Sequence, residues 1–154
     1  MTLTVTTLTE VDDAVRNLVA AALSELRLHR GGVALEADMH SAAQMSEGTS
    51  LLQSLAASSQ LVAAYLDDVV VGVLALGGSP TAIMGIYVQR EHRRRGVGRL
   101  LVNAARAMEF APTDAWALPG DRATKSLFES VSWKARRLTM SDEKKESGEL
   151  DARA

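Results

Sequence analysis

The sequence predicts an α/β fold in which helices flank a mixed central sheet, within one domain that spans residues 1–140. Three observations indicate this class. Apolar residues make up 47% of a chain of 154 residues, which suffices for a single buried core. Runs rich in branched apolar residues alternate with segments of helical spacing. Residues 83–111 combine both patterns around a basic, glycine-containing turn, and the rest of the chain is organised around this stretch.

The N-terminal part predicts a strand followed by a long helix. Thr alternates with Leu or Val from residue 3, which favours a strand over residues 3–8. A helix over residues 11–28 follows from apolar residues at helical spacing, namely Val15, Leu18, Val19, Ala22, Leu23 and Leu26. The pair Gly31-Gly32 supplies a flexible turn after this helix.

Two short helices and a hairpin come next. Residues 34–45 and 50–57 predict the helices. Residues 61–66 and 69–76 are apolar runs rich in β-formers, and the acidic pair between them predicts a hairpin turn. Gly72 lies inside the second run and indicates a β-bulge.

The central stretch predicts a strand, a tight turn and a helix. The strand opens at Thr81 and carries the apolar residues Ile83, Met84, Ile86 and Val88. Residues 93–98 form the turn, which we call the glycine turn, and a helix with the apolar face Leu100, Leu101, Ala104, Ala105 and Met108 follows. A helix N-terminus offers free N–H groups and partial positive charge, and glycines let an anion approach the backbone. This arrangement therefore suits a phosphate group.

The C-terminal part predicts a short buried strand over residues 114–118, a helix and a last strand. Asp121 is placed to cap the helix, whose apolar residues are Ala123, Leu127, Phe128 and Val131. Residues 133–140 predict the last strand. Residues 141–154 are polar and charged, which predicts a disordered tail.

Composition excludes several classes of protein and site. The chain has no cysteine, so disulfides and thiolate chemistry are impossible, and we expect no metal site. The net charge is -2, and the tail carries five acids and three bases, so the body is neutral. The basic residues at 90–99 therefore favour a focused anion site over nucleic-acid binding. No secretory signal or apolar run near ~20 residues is evident, so we expect a cytoplasmic protein without membrane contacts.

The residues of the glycine turn carry a family resemblance. Arg93-Arg94-Arg95-Gly96-Val97-Gly98 fits the pattern (Gln/Arg)-x-x-Gly-x-(Gly/Ala), and the flanking Ile-Tyr-Val and Arg-Leu-Leu are similar as well. The chain thus resembles the GNAT superfamily of N-acetyltransferases over about residues 3–140. The resemblance implies a GNAT (acyl-CoA N-acyltransferase) fold and acetyl-CoA as cosubstrate. It implies a cofactor site formed by Ile86, Tyr87, Val88, Arg93, Arg94, Arg95, Gly96, Val97, Gly98 and Arg99.

The resemblance also assigns roles within this site. The backbone N–H groups of residues 94–99 would receive the pyrophosphate, and the arginines of the turn would add charge. The main chain of residues 86–88 would pair with the pantetheine arm like an added strand. The Val88 N–H would hold the oxyanion of the tetrahedral intermediate, which makes Val88 a catalytic residue.

A second family motif is only partly matched. Family members often carry Asn-x-x-Ala-x-x-Leu-Tyr-x-x-x-Gly-Phe after the fifth strand, with Tyr as general acid. Here Asp121 replaces the Asn and Phe128 replaces the Tyr, so no proton donor is carried over. The candidates for a general base are Asp121, His92, Glu91 and Tyr87. Among these four, only Asp121 is assigned a catalytic role. The simpler interpretation of Asp121 is a helix cap.

The expected function is transfer of an acetyl group from acetyl-CoA to a primary amine of a small molecule or a protein. The alternative is a GNAT-fold module that binds acyl-CoA for regulation with little or no catalysis, which Phe128 motivates. GNAT domains commonly end with two further strands, whereas the sequence shows one. Either the final strand is missing or a partner chain completes that edge, as in a homodimer.

Overall fold

The fold is a five-stranded mixed sheet with helices on both faces, in a computed structural model that describes residues 1–43, 49–140 and 142. The strands are β1 Leu3–Leu8, β2 Leu61–Leu66, β3 Val69–Gly77, β4 Ala82–Val88 and β5 Asp114–Ala115. The helices are α1 Asp13–Leu28, α2 Gly32–Ala42, α3 Leu51–Ala57, α4 Val97–Arg106 and α5 Arg122–Ser130. Within the described ranges, no helix has the length and apolar character needed to cross a membrane.

The sheet has the order β1-β2-β3-β4-β5, antiparallel except for β5, which runs parallel to β4. Helices α4 and α5 pack on one face, and α1, α2 and α3 pack on the other. Successive side chains of a strand point to opposite faces, so Leu74 of β3 joins the α4 core and Val73 joins the α1 core. The predicted α/β class with a flanked mixed sheet is confirmed.

The β2–β3 hairpin is confirmed, and its turn explains the acidic pair. Asp67 and Asp68 both have positive φ, 47° and 69°, as a two-residue hairpin turn that matches the strand twist requires. Asp tolerates this region better than most residues because its short side chain hydrogen-bonds locally. The Asp67 carboxylate also accepts a hydrogen bond of 2.7 Å from the Thr2 N–H and so fixes the start of β1.

A β-bulge lies beside Gly72, where the sequence predicts one. Ala64 pairs with Gly72 and the next residue of β2, Tyr65, pairs with Val70, so Val71 is the extra residue. A side chain at Gly72 would point at α4, because its Cβ would lie 3.1 Å from Leu101 Cδ1 and 3.2 Å from Val97 Cγ1. The glycine lets the first turn of α4 approach the sheet closely.

Four predictions were wrong or lie at least partly outside the described residues. Residues 133–140 form no strand: Trp133 stacks on Phe128, and residues 134–140 are exposed and include three basic residues. The strand predicted over 114–118 is limited to Asp114–Ala115, because pairing with β4 stops there. The end of the helix predicted over 34–45 and the predicted tail fall outside the described residues, apart from Asp142.

We predict that Gly72→Val lowers the free energy of unfolding by about 1–3 kcal/mol, because the added atoms overpack the interface between α4 and the sheet. Urea denaturation measures this change. The matched control is Gly120→Val, whose Cβ enters open space and which should change stability by less than about 0.5 kcal/mol. Equal losses in the two variants would contradict the close-approach role of Gly72.

Candidate active site

The candidate site begins where β4 and β5 separate. Only Ala82 and Ile83 of β4 pair with β5, and the last bridging hydrogen bond runs from the Trp116 N–H to the Ile83 carbonyl at 2.9 Å. The β3–β4 register then shifts, leaving Met84 as an extra residue. Such a bulge bends a strand and increases its twist. Among the described residues, the segment of β4 from Met84 to Val88 therefore has a strand partner on the β3 side alone.

The backbone of this segment presents polar groups to the open side. The Gln89 N–H donates to the Val71 carbonyl of β3 at 2.9 Å. Because N–H groups alternate in direction along a strand, the N–H and C=O groups of Val88 and Ile86 point away from β3. An added extended chain could pair with these groups, except for the Val88 carbonyl, which Arg93 binds.

A narrow cavity of about 40 Å³, which we call the β4–β5 cleft, lies between the separated strands. Helices α1 and α2 line one side of it and the start of α5 lines the other. Its lining residues are Leu26, Leu35, Met39, Met84, Gly85, Ile86, Trp116, Ala117, Leu118, Asp121 and Thr124. Asp121 is the one acidic side chain among them, so the cleft pairs an apolar wall with a single carboxylate.

The glycine turn places the N-terminus of α4 next to the end of β4. Gly96 is the residue before the helix, with φ of 84°, and no side chain caps the helix. The N–H groups of Val97, Gly98 and Arg99 therefore have no acceptor within the helix. A Cβ on Gly96 would meet no atom within 4 Å, so the positive φ explains this glycine.

Gly98 has a different physical reason. A Cβ at this position would lie 2.9 Å from Leu127 Cδ2 of α5. The lack of a side chain lets α4 and α5 pack together. The sequence analysis had instead explained this glycine by the close approach of an anion to the backbone. Val97 is buried against the sheet. Its side chain belongs to the core, and only its backbone faces outward.

The arginines of the turn divide into two groups. Arg94, Arg95 and Arg99 are exposed, and within the described part of the chain none of them forms an ion pair. Arg93 is half-buried and engaged: its Nε donates to the Val88 carbonyl at 2.7 Å and its Nη2 donates to Glu25 at 2.9 Å. Its guanidinium also lies 5.3 Å from the centre of the Tyr87 ring. Three cations are thus available to an anion, and one is committed to the protein.

Glu25, on α1, accepts from two arginines at once. Its Oε2 binds Arg93, and its Oε1 accepts a hydrogen bond of 3.1 Å from Arg90. Burial alone would raise the pKa of the Glu25 carboxyl, but the hydrogen bonds and charges of Arg93 and Arg90 outweigh burial and lower it below the ordinary 4.5. The stabilisation from this network is therefore present at neutral pH and is lost as the pH falls through the lowered pKa.

The other candidate bases are less well placed than Asp121. Glu91 is exposed, and Tyr87 lies beneath the Arg93 guanidinium. His92 is half-buried in a short 3₁₀ turn, and its buried Nδ1 has no hydrogen-bond partner in the described part of the chain. None of the three lines the β4–β5 cleft.

Asp121 does cap α5, as the simpler interpretation predicts. Its Oδ1 accepts from the Thr124 N–H at 3.1 Å and its Oδ2 accepts from the Thr124 hydroxyl at 2.6 Å. A carboxylate has about four lone-pair sites, so each oxygen keeps capacity for one further donor. The cap and a function in the cleft are compatible.

Phe128 lies in the core rather than in the cleft. It is 6% exposed, and its ring stacks on Trp133 with 5.7 Å between ring centres. The Arg106 guanidinium lies over the Trp133 ring, 5.1 Å from its centre, and donates a hydrogen bond to the Val131 carbonyl. The position that carries Tyr in many family members thus supports packing of α5 here.

Comparison with known proteins identifies the family. The sequence model of the Acetyltransferase (GNAT) family matches residues 16–124, which is most of the chain. The protein belongs to the GNAT family of acetyltransferases and is an acyltransferase, as the motif predicted. A comparison with curated protein sequences gives no match.

Solved structures show the same fold. A ribosomal-protein-alanine N-acetyltransferase from Brucella melitensis biovar Abortus 2308 is similar, with a TM-score of 0.60 and 17% identity over 92% of this chain and 99% of that one. The aminoglycoside 6'-N-acetyltransferase AAC(6')-Ih from Acinetobacter baumannii has a TM-score of 0.57 and 16% identity over 92% and 98%. AAC(6')-Iy, in complex with a bisubstrate analog containing CoA, has a TM-score of 0.56 and 14% identity over 93% and 99%.

Sequence reasoning missed two features of the site. Glu25 is one of several polar residues on the amphipathic α1, and its partners lie 65 and 68 residues away in the chain. No local pattern distinguishes it from a solvated residue. Trp116 lines the cleft just beyond β5. The available signal was a single Trp in the middle of the predicted short strand.

Proposed function

We propose that the protein transfers the acetyl group of acetyl-CoA to a primary amine. One observation carries the proposal: β4 presents the N–H and C=O of Ile86 and the N–H of Val88 to a side where no strand of the described residues pairs with them, next to the N-terminus of α4. An extended amide-containing arm ending in a pyrophosphate matches both features. The similar AAC(6')-Iy fold, solved with an analog containing CoA, supports this choice of donor.

The donor would lie along β4 with its phosphates at the glycine turn. The pantetheine amides pair with the N–H and C=O of Ile86 and with the Val88 N–H, because the Val88 carbonyl is already bound by Arg93. The N–H groups of residues 97–99 receive the pyrophosphate, and Arg94, Arg95 and Arg99 supply charge. Within this proposal, Arg93 and Tyr87 do not bind the donor. They help to hold the backbone at the end of β4 in place.

The transfer step is nucleophilic substitution at the thioester carbonyl. The amine nitrogen forms a bond to the carbonyl carbon, and the carbonyl oxygen becomes an oxyanion that the Val88 N–H stabilises. The carbon–sulfur bond then breaks, and the electron pair leaves with the CoA thiolate. The amine loses one proton to a base or to water, and the products are an N-acetyl amide and CoA.

Amine deprotonation is the harder of the two proton transfers. A thiol has a pKa of about 8.5, so its thiolate is a tolerable leaving group near neutral pH. An alkylamine of the lysine type has a pKa of about 10.4, so very little of it is nucleophilic at pH 7. The absence of a hydroxyl at Phe128 therefore matters less than a carboxylate that holds the ammonium ion and accepts its proton. We assign that role to Asp121, because it lines the cleft.

The second candidate function is an acyl-CoA-binding module that regulates through binding and catalyses little or nothing. The buried, stacked Phe128 favours it, because the position offers no proton donor. Isothermal titration with acetyl-CoA, followed by thiol release against aminoglycosides, polyamines and peptides with free N-termini, separates the two. Binding with thiol release supports the transferase. Binding without release from any amine supports the module, and no binding overturns both.

We predict that Gly96→Glu weakens acetyl-CoA binding by at least about 100-fold, because a carboxylate would stand at the phosphate-binding N-terminus of α4. Titration calorimetry measures the affinity. The matched control is Gly96→Ala, which carries the same strain from a φ of 84° without the charge and should lose less than about tenfold. Wild-type affinity in Gly96→Glu would contradict the pyrophosphate assignment.

We predict that Asp121→Asn lowers kcat/KM for the amine by about 100-fold, the lower range for losing a general base, while thermal stability stays the same. Asn caps a helix about as well as Asp, so the substitution removes the base and keeps the cap. The control Asp121→Ala also loses the cap and about 1 kcal/mol of stability. Unchanged turnover in Asp121→Asn would assign Asp121 to capping alone.

A further inference from the structure

We propose that Glu25 is a positioning residue, which acts through Arg93 to hold the end of β4 in the geometry that transfer requires. The inference rests on the proposed function, because it concerns the Val88 N–H. The structure supplies an unbroken chain of contacts from α1 to this backbone: Glu25 to Arg93 at 2.9 Å, and Arg93 to the Val88 carbonyl at 2.7 Å.

The first step concerns the peptide plane that follows Val88. Its carbonyl oxygen is bound by Arg93 Nε, and its N–H, which belongs to Gln89, donates to Val71 at 2.9 Å. The plane is rigid, so a contact at each end fixes its orientation. On the β5 side of this plane, no strand in the described part of the chain pairs with β4. Arg93 supplies the hydrogen bond that a neighbouring strand would otherwise donate to the Val88 carbonyl. The Val88 N–H remains available to a ligand.

The second step concerns the orientation of Arg93. Nε and Nη2 belong to one planar guanidinium, so the position of one donor determines the position of the other. Glu25 fixes the Nη2 end, and its side chain is itself held because Arg90 binds its second oxygen at 3.1 Å. The Tyr87 ring lies beside the same guanidinium. Without Glu25, the Nη2 end of Arg93 would lose the contact that sets the direction of its Nε.

This arrangement separates two tasks among neighbouring arginines. Glu25 neutralises Arg93 and directs it to β4, while the exposed arginines of the turn keep their charge for an anion. Loss of Glu25 should therefore lower the rate of transfer and leave donor affinity nearly unchanged. A link that only attached α1 to the turn would instead alter stability, affinity and rate together.

The test is a double-mutant cycle of Glu25→Gln and Arg93→Met. Each single variant should lower kcat by about tenfold to 100-fold, the effect of displacing a reacting group by about 1 Å. The Kd for acetyl-CoA should change by less than about threefold in Glu25→Gln, which keeps every proposed phosphate contact. The double variant should be no slower than Arg93→Met alone, because Glu25 acts through Arg93. Additive losses, or an unchanged kcat in Glu25→Gln, would overturn the proposal.

The matched control is Asp13→Asn, which removes an arginine-paired carboxylate from the first turn of the same helix. It should keep the wild-type kcat. If Glu25→Gln does not fold, Glu25→Asp is the second variant: it keeps the charge but is one methylene too short to bridge both arginines. Glu25→Asp should reduce kcat less than Arg93→Met does, with unchanged Kd. A wild-type kcat in Glu25→Asp would contradict the proposal.

A second readout does not depend on turnover. In the free protein, hydrogen exchange at the Gln89 amide reports the peptide plane that Arg93 holds. Exchange there should be at least about threefold faster in Glu25→Gln than in Asp13→Asn. If no amine is acetylated by the wild-type protein, the transferase function fails, and the exchange rate still decides whether Glu25 holds β4. Equal rates in the two variants would overturn the positioning role.

Discussion

The incomplete pairing between β4 and β5 is the constraint on which the site depends. Two residues of β4 pair with β5, and a bulge at Met84 then turns the rest of the strand away. A sheet that stayed paired would have no unsatisfied backbone groups in its interior. Here the strand stays fixed by β3 on one side and remains open on the other, so its position is rigid while its polar groups stay available. The cleft, the cap of α5 and the glycine turn all border this opening.

The arrangement of charge follows from the same geometry. Helix α4 starts close to the sheet because Gly72 lacks a side chain, and it packs on α5 because Gly98 lacks one. Its N-terminus therefore lies beside the end of β4, with three exposed arginines around it. Glu25 pairs with Arg93 and Arg90, so part of the local positive charge is compensated by α1. The site combines a cationic end for phosphates with an apolar cleft that contains one carboxylate.

The sequence predicted those elements whose structure depends on residues close together in the chain. The two apolar, β-rich runs in residues 61–76 and the acidic pair between them predicted the hairpin. The glycine turn predicted the start of α4, and Asp121 was predicted to cap α5. The structure confirms all three. The length of β5 depends on a bulge in a different strand, so the apolar run at 114–118 overstated it. Residues 133–140 contain β-forming residues, but residues 134–140 stay exposed, so propensity alone misled. The partners of Glu25 are distant in sequence, and no spacing rule reveals them.

Amide hydrogen exchange by NMR, with and without acetyl-CoA, tests the central claim most directly. If an extended arm pairs with the open side of β4, exchange at the Ile86 and Val88 amides should slow by at least about tenfold on binding. The Tyr87 amide, which already faces β3, should change little and serves as the internal reference. Binding that calorimetry detects without protection of Ile86 and Val88 would contradict the account, because the donor would then lie elsewhere on the protein.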